Sequence, residues 1–449
     1  GTGVATIDEG ATLDLGGGTL TVGNANSSTV QGSGSLFLRG SLVNGGSIAV
    51  GVNAVGLMTI EPSASVSLPI VVGVGGQGSL AVSGEHAFPT LLAGASGSGS
   101  ILMSGNGTAV TTGLLTVGSG GSGSVTVTGG AWLAIDSLSL GGTSPVTALL
   151  AASGGSSITV DTIASFGSWL LNAPAQCRAA DPGSIITLPA MQLAGSLNGS
   201  IVATNGGRID TSSIGAQGNS SLGVEATNGG FIHCTGGISL EKGSLSVGVN
   251  GSVAATTVQT SPTVTTITLP LDRGPAITAD SVSVNGPLSI AVAPGWTPAG
   301  PGDVPVFATA SLHLPSRPTL PTLLGYPPLL IADAQGAFLR IIDHVDALTV
   351  PASITLAIGE STVVSCCGTV CPSASELTNR QMAAAASPRR RAASIQTSTS
   401  IARTQVRSPS AANAPKPRNG CASIWHFRGR CCANQRLPGA TALCCSNSM

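Results

Sequence analysis

The chain has 449 residues with 18 Lys and Arg against 19 Asp and Glu, a formal net charge of −1, and only 8% of its residues are charged and 3% aromatic. With 63 glycines and so few aromatics the composition argues against a conventional mixed core, and 42% hydrophobic content with a mean hydropathy of +0.39 argues against a wholly disordered polar chain. The neutrality hides a split: every acidic residue lies at or before Glu376, whereas residues 377–449 hold 11 basic residues and no acid.

The chain begins at Gly1 without Met, so no secretory signal can be read, and the sequence is expected to be a fragment or a processed product. Over residues 1–292 the dominant signal is a repeat. Gly73, Gly76 and Gly78, then Gly94, Gly97 and Gly99, then Gly118, Gly121 and Gly123 each precede Ser and a short alternating apolar run such as Leu80-Ala81-Val82. The copies start 21 and 24 residues apart, a period that signals a stacked repeat architecture. A second register uses an apolar residue, Asp, then Ser or Thr, at Asp136, Asp161, Asp210 and Asp280, separated by 25, 49 and 70 residues. Thr111, His233 and Thr256 fill the missing turns.

These periods predict an all-β parallel β-helix, or β-solenoid. Each period supplies two or three short strands, separated by glycines free to take positive φ. One coil cannot bury its inward Val, Leu and Ile, but stacked coils bury them in a continuous column. About a dozen coils at about 4.8 Å give a rod on the order of 60 Å long. Handedness does not follow from the spacing.

Residues 293–360 break the period with a Pro/Gly-rich run, Pro294 to Pro305, a Pro-rich stretch to Leu330 and a last apolar stretch from Phe338. Because open solenoid ends expose strand edges, this irregular or β region is the expected C-terminal cap. Residues 361–449 form a Cys/Arg-rich, low-complexity tail expected to be disordered, with Arg389-Arg390-Arg391 and eight of the 10 cysteines from Cys366 onward. The uneven pairs of late cysteines do not match the spacing of a zinc ribbon. Cys177 and Cys234 are expected to be buried inert thiols. No stretch approaches the length of a transmembrane helix without turn-forming residues.

The Gly-x-x-Gly-x-Gly-Ser repeats, and the segment Leu288-Ser289-Ile290-Ala291-Val292 through Phe307, resemble the repeats and the end-of-repeat region of bacterial autotransporter-type adhesin passengers and similar β-helix surface proteins. The resemblance covers about 300 residues and implies a right-handed β-helix, export, and adhesion or surface display. The Cys/Arg-rich tail departs from that pattern, and no membrane β-barrel translocator follows.

Chemistry-bearing residues are sparse. A β-helix polysaccharide lyase or hydrolase needs clustered carboxylates, with calcium and a basic residue in the lyases. Asp136 and Asp161, one coil apart and so about 5 Å from each other, are the only catalytic candidates. Asp before Ser or Thr after a strand is also a common turn-capping residue. His233 reads as a turn residue and Glu85-His86 as a surface loop. The glycine triplets are turns rather than phosphate cradles, since no Lys follows. Thr126-x-Thr128 and Thr266-x-Thr268 hint at an ice-binding Thr array, but most coils lack the motif. The expectation is therefore a non-enzymatic, extracellular or cell-surface rod. It presents a polar Ser/Thr/Asn surface to glycans or surface proteins, with no cofactor, no metal, no specific nucleic-acid partner and no set oligomeric state.

Overall fold

The computed structural model describes residues 2–25, 32–142, 146–167, 175–193 and 196–342. Two compact units divide the chain, Gly1–Ser373 and Ala374–Met449, and the second lies wholly outside the described residues. So do the tail expected over 361–449, with its late cysteines, and residues 343–360 of the expected cap.

Among the described residues there is no helix. The chain is an all-β solenoid of about 11 turns, in which parallel strands of successive turns stack in register. Each turn crosses three faces. The first face is a 13-stranded parallel sheet running from Thr2–Ile7 through Gly123–Thr128 to Leu288–Val292. The second and third faces are separate strands in the opening turns, as in Thr12–Asp14 then Thr19–Asn24, and again later, as in Ile185–Leu188 then Met191–Leu193. Between them, Glu85–Ala93, Ala109–Val117, Trp132–Leu140 and Ser157–Phe166 run through both faces unbroken.

The corner inside these long strands shows in their burial. In Trp132–Leu140 the buried side chains are Leu133 and Ile135, then Leu138 and Leu140, so the inward alternation slips by one residue at Asp136-Ser137. A strand has a side-chain period of two, and the slip lets both halves face the same core across a bend. On the second face Val110, Leu133, Ile158, Ile186, Ile209 and Ile232 stack one above another and are fully buried. Burying each such side chain contributes about 1.5–3 kcal/mol. The column needs no aromatic filling because every turn covers the one before it.

The glycine triplet now has a steric reason at each position. Gly94 has φ +77°, in the left-handed region where a side chain is strained. A Cβ on Gly97 would overlap the carbonyl oxygen of Gly76 one turn earlier, and a Cβ on Gly99 would overlap the amide nitrogen of Gly94. The same clashes recur at Gly121 and Gly123. At the corner between the first and second faces, Asn205, Asn228 and Asn250 take φ values of 52°, 51° and 52°, which Asn tolerates better than most residues. Buried hydroxyls tie that corner from turn to turn: the Gly130 N–H donates to Ser156 Oγ at 3.1 Å and the Gly155 N–H to Ser184 Oγ at 3.0 Å.

Parallel stacking continues past residue 292, with Gly302–Ala308 on Ile277–Thr278 and Ser311–His313 on Ser281–Val284. Gly302–Ala308 then pairs antiparallel with Gly336–Ile341, which pairs antiparallel with Leu329–Asp333. This antiparallel layer buries Val306, Phe307, Leu339 and Ile341, and Arg340 grips the Asp303 carboxylate with two hydrogen bonds of 2.8 and 2.9 Å. The first turn is different. Thr2–Ile7 is the edge of its sheet; Ala5 and Ile7, level with buried Leu36 and Leu38, are exposed and half-buried, and Leu13 is 38% exposed.

Candidate functional site

The four aspartates of the second sequence register fall into two columns, not one. Asp136 and Asp161 stand on adjacent turns at the corner between the second and third faces, bracketed by the pairs Ile135↔Val160 and Ser137↔Thr162. Asp210 pairs with Thr187, which pairs with Thr159, two residues before that corner. Thr278 reaches the Asp210 position through Ala254 and His233, so Asp280 returns to the corner column. Thr111 pairs with Ala134 and so belongs with Asp210 and His233, not with Asp136. Two positions two residues apart both face outward beside a bend, and uneven turn lengths hide the difference from a count along the chain.

Asp136 and Asp161 are both exposed, and neither joins an ion pair among the described residues. The Thr162 hydroxyl donates to the Asp136 carbonyl oxygen at 2.7 Å, a tie between turns at the bend. Among the described residues no three His, Cys, Asp or Glu side chains converge as a metal site would require.

The outward surface of the second face carries the chemistry that spacing alone did not show. One column reads Glu85, Ala109, Trp132, Ser157, Ile185, Arg208, Phe231; the next reads Ala87, Thr111, Ala134, Thr159, Thr187, Asp210, His233. At one end of this surface Arg208 Nε donates to both Asp210 carboxylate oxygens at 2.8 Å, and His233 Nδ1 lies 3.3 Å from Oδ1. The Arg208 guanidinium sits 5.4 Å from the centre of the Phe231 ring, which also stacks with His233 at 6.0 Å. These four residues satisfy one another. His233 is therefore a strand residue in Phe231–Cys234, not the turn residue expected from its repeat position.

Toward the N-terminus the same surface opens into a notch of about 440 Å³ lined by Glu85, His86, Ala87, Ala109, Thr111 and Trp132. Trp132 is 39% exposed and is the one aromatic among the exposed large hydrophobic side chains of the described residues. Glu85 and Trp132 lie two turns apart on one column, about 10 Å, with small Ala109 between them. Glu85-His86 is not a surface loop: it opens the strand Glu85–Ala93, with Glu85 outward and His86 inward. His86 Nε2 donates to the Ser83 carbonyl at 2.8 Å, and its ring stacks on Phe88. The period-two pattern His86, Phe88 carried that signal, masked by the polar character of histidine. A second, larger groove of about 520 Å³ crosses the first face along Gly56, Gly78, Gly99 and Gly123.

Cys177 and Cys234 are free thiols buried in the column. Burial pushes the Cys177 thiol up to about 12. It also raises that of Cys234, against smaller opposing hydrogen bonds from the backbone of Gly236 and Ile214. At the first turn the exposed Asp14 carboxyl is held below its ordinary range by the Gly16 N–H and the Asn44 side chain.

The fold and its surface define a β-solenoid repeat protein. Comparison of the chain with protein families, with curated proteins and with solved structures returns no match. Among the described residues no helix is long and apolar enough to cross a membrane.

Proposed function

We propose that this chain is a non-enzymatic, secreted or cell-surface structural element. In this reading it is an adhesin-like solenoid, similar in role to autotransporter passengers, that offers a polar Ser/Thr/Asn surface to glycans or partner proteins. The observation that supports this most is the hydroxyl pairing between turns. Thr19 Oγ1 and Ser47 Oγ lie 3.2 Å apart, Ser139 Oγ and Ser165 Oγ 2.5 Å, and the Ser153 hydroxyl donates to Thr128 Oγ1 at 3.2 Å. Gln176 Nε2 donates to Ser200 Oγ at 3.3 Å in the same way. Each pair spans one rung of about 4.8 Å, so donors and acceptors carrying little charge are fixed at several places on the surface. That surface suits neutral, hydroxyl-rich ligands. The stacked column adds stiffness, which a spacer at a cell surface requires.

The test is incubation of the chain with a panel of polysaccharides, scoring both retention and soluble product. Retention without product is the expected result. Product release that disappears in Asp136→Asn or Asp161→Asn would make the protein a β-helix polysaccharide enzyme and overturn the reading.

A further inference from the structure

We propose that the Trp132 notch is a binding subsite for a neutral hexopyranose unit of a glycan. This rests on the reading of the solenoid as a glycan-facing surface and gives that surface a position and a selectivity.

The argument starts from the cost of the residue. A large aromatic side chain is expected to be largely covered, yet Trp132, the first residue of the strand Trp132–Leu140, leaves 39% of itself in solvent. Its neighbours explain how. Ala109 and Ser157 flank it along the column, and Thr111, Ala134 and Thr159 stand beside them. None is larger than Thr, so the indole is a free-standing wall. The opposite wall is the exposed carboxylate of Glu85, two turns earlier, and the floor is the methyl and methine surface of Ala87, Ala109 and Thr111.

A pyranose ring has the complementary anatomy: C–H groups on its faces and hydroxyls around its rim. The polarised C–H face packs against the electron-rich face of an indole. A rim hydroxyl donates to the Glu85 carboxylate in a charge-assisted bond, and the Thr111 hydroxyl serves as donor or acceptor. Glu85 is the one carboxylate among the lining residues, and neither Lys nor Arg joins it. His86 is buried, with Nε2 committed to the Ser83 carbonyl. Uronate and sialate units therefore meet like charge without a compensating cation among the lining residues.

The experiment is saturation-transfer NMR on the full chain with three probes: methyl β-D-galactopyranoside, methyl β-D-glucopyranoside and sodium galacturonate. At least one neutral probe should receive saturation at its C–H protons, and galacturonate should bind at least ten-fold more weakly. Trp132→Ala should reduce neutral binding at least ten-fold, and Trp132→Phe should keep part of it. Glu85→Gln should narrow the gap to galacturonate. Because Trp132 points outward, circular dichroism should be unchanged in these variants. Neutral binding that survives Trp132→Ala, or a preference for galacturonate, overturns the notch. Failure of all three probes together with retention on polysaccharides also overturns the notch while leaving the glycan-facing surface standing. Failure of the probes and of retention sinks both.

Discussion

Gly97 has an ordinary backbone conformation, but a methyl group there has nowhere to go because the Gly76 carbonyl one turn earlier occupies the space. Gly97→Ala is therefore expected to destabilise the fold by about 2–4 kcal/mol through a clash with backbone that cannot give way. Gly300→Ala, where a Cβ meets nothing within 4 Å, should stay within about 0.5 kcal/mol. Urea denaturation of the two variants checks both values. Cys177 gives a second test. Its thiol ionises near the ordinary 9.0 when unfolded and near 12 when buried. Above pH 9 the unfolded chain releases a proton that the fold retains, so stability is fully present below that pH and falls steadily as pH rises toward 12. Cys177→Ala should flatten that slope in denaturation curves taken from pH 8 to 11, and an unchanged slope would place its origin elsewhere. At this scale the sequence identified the glycines as turn formers and the thiols as buried, but not which backbone each glycine meets. It missed His86 and His233 because a polar residue conceals which way a strand position points.

At the scale of the element, the long strands that pass through two faces carry the lesson about register. The spacing of Gly73, Gly94 and Gly118 was legible because those residues occupy one corner with one steric demand. The spacing of the aspartates misled because Asp136 stands at the bend and Asp210 two positions before it, and only the pairing of their neighbours separates them. Asp136 is exposed at the bend of its strand with no ion pair among the described residues, so Asp136→Asn should change stability by less than about 0.5 kcal/mol. Leu133→Ala, three residues earlier and fully buried, should cost about 2–5 kcal/mol. The antiparallel layer at the end of the second sheet divides in the same way. Arg340→Ala removes an exposed ion pair worth at most about 1 kcal/mol, whereas Leu339→Ala opens a cavity at a fully buried position, between Val304 and Leu330 on the flanking strands, and should cost about 2–5 kcal/mol. A chemical-denaturation series covers all four, and equal costs for Arg340→Ala and Leu339→Ala would contradict the packing described.

On the scale of the whole solenoid, each turn touches only its neighbours, so stability is a sum over turns and interfaces rather than a property of one core. The sequence showed this through its period, and its poverty in aromatics fits a column filled by aliphatic side chains. What it could not show is the form taken by the region it marked as a cap: Leu329–Asp333 and Gly336–Ile341 lie antiparallel on Gly302–Ala308. Native-state hydrogen exchange should therefore be slowest in the middle turns around Trp132–Leu140 and Ser157–Phe166, which pack on a turn to either side. Uniform protection along the chain would mean that the turns melt as one unit.

The glycine and asparagine corners have one more consequence, for how such a molecule can change size. Because corner glycines such as Gly97 and Gly121 fit against the backbone one turn earlier, a turn recognises its neighbour and nothing further away. Deleting one complete turn brings together two surfaces that already fit, and the solenoid shortens by a single step of about 4.8 Å. Removing half a turn leaves every later side chain facing the wrong way. Length in this protein is thus quantised: inheritance can edit it in whole units, as links are added to or taken from a chain, and any intermediate length is a broken fold.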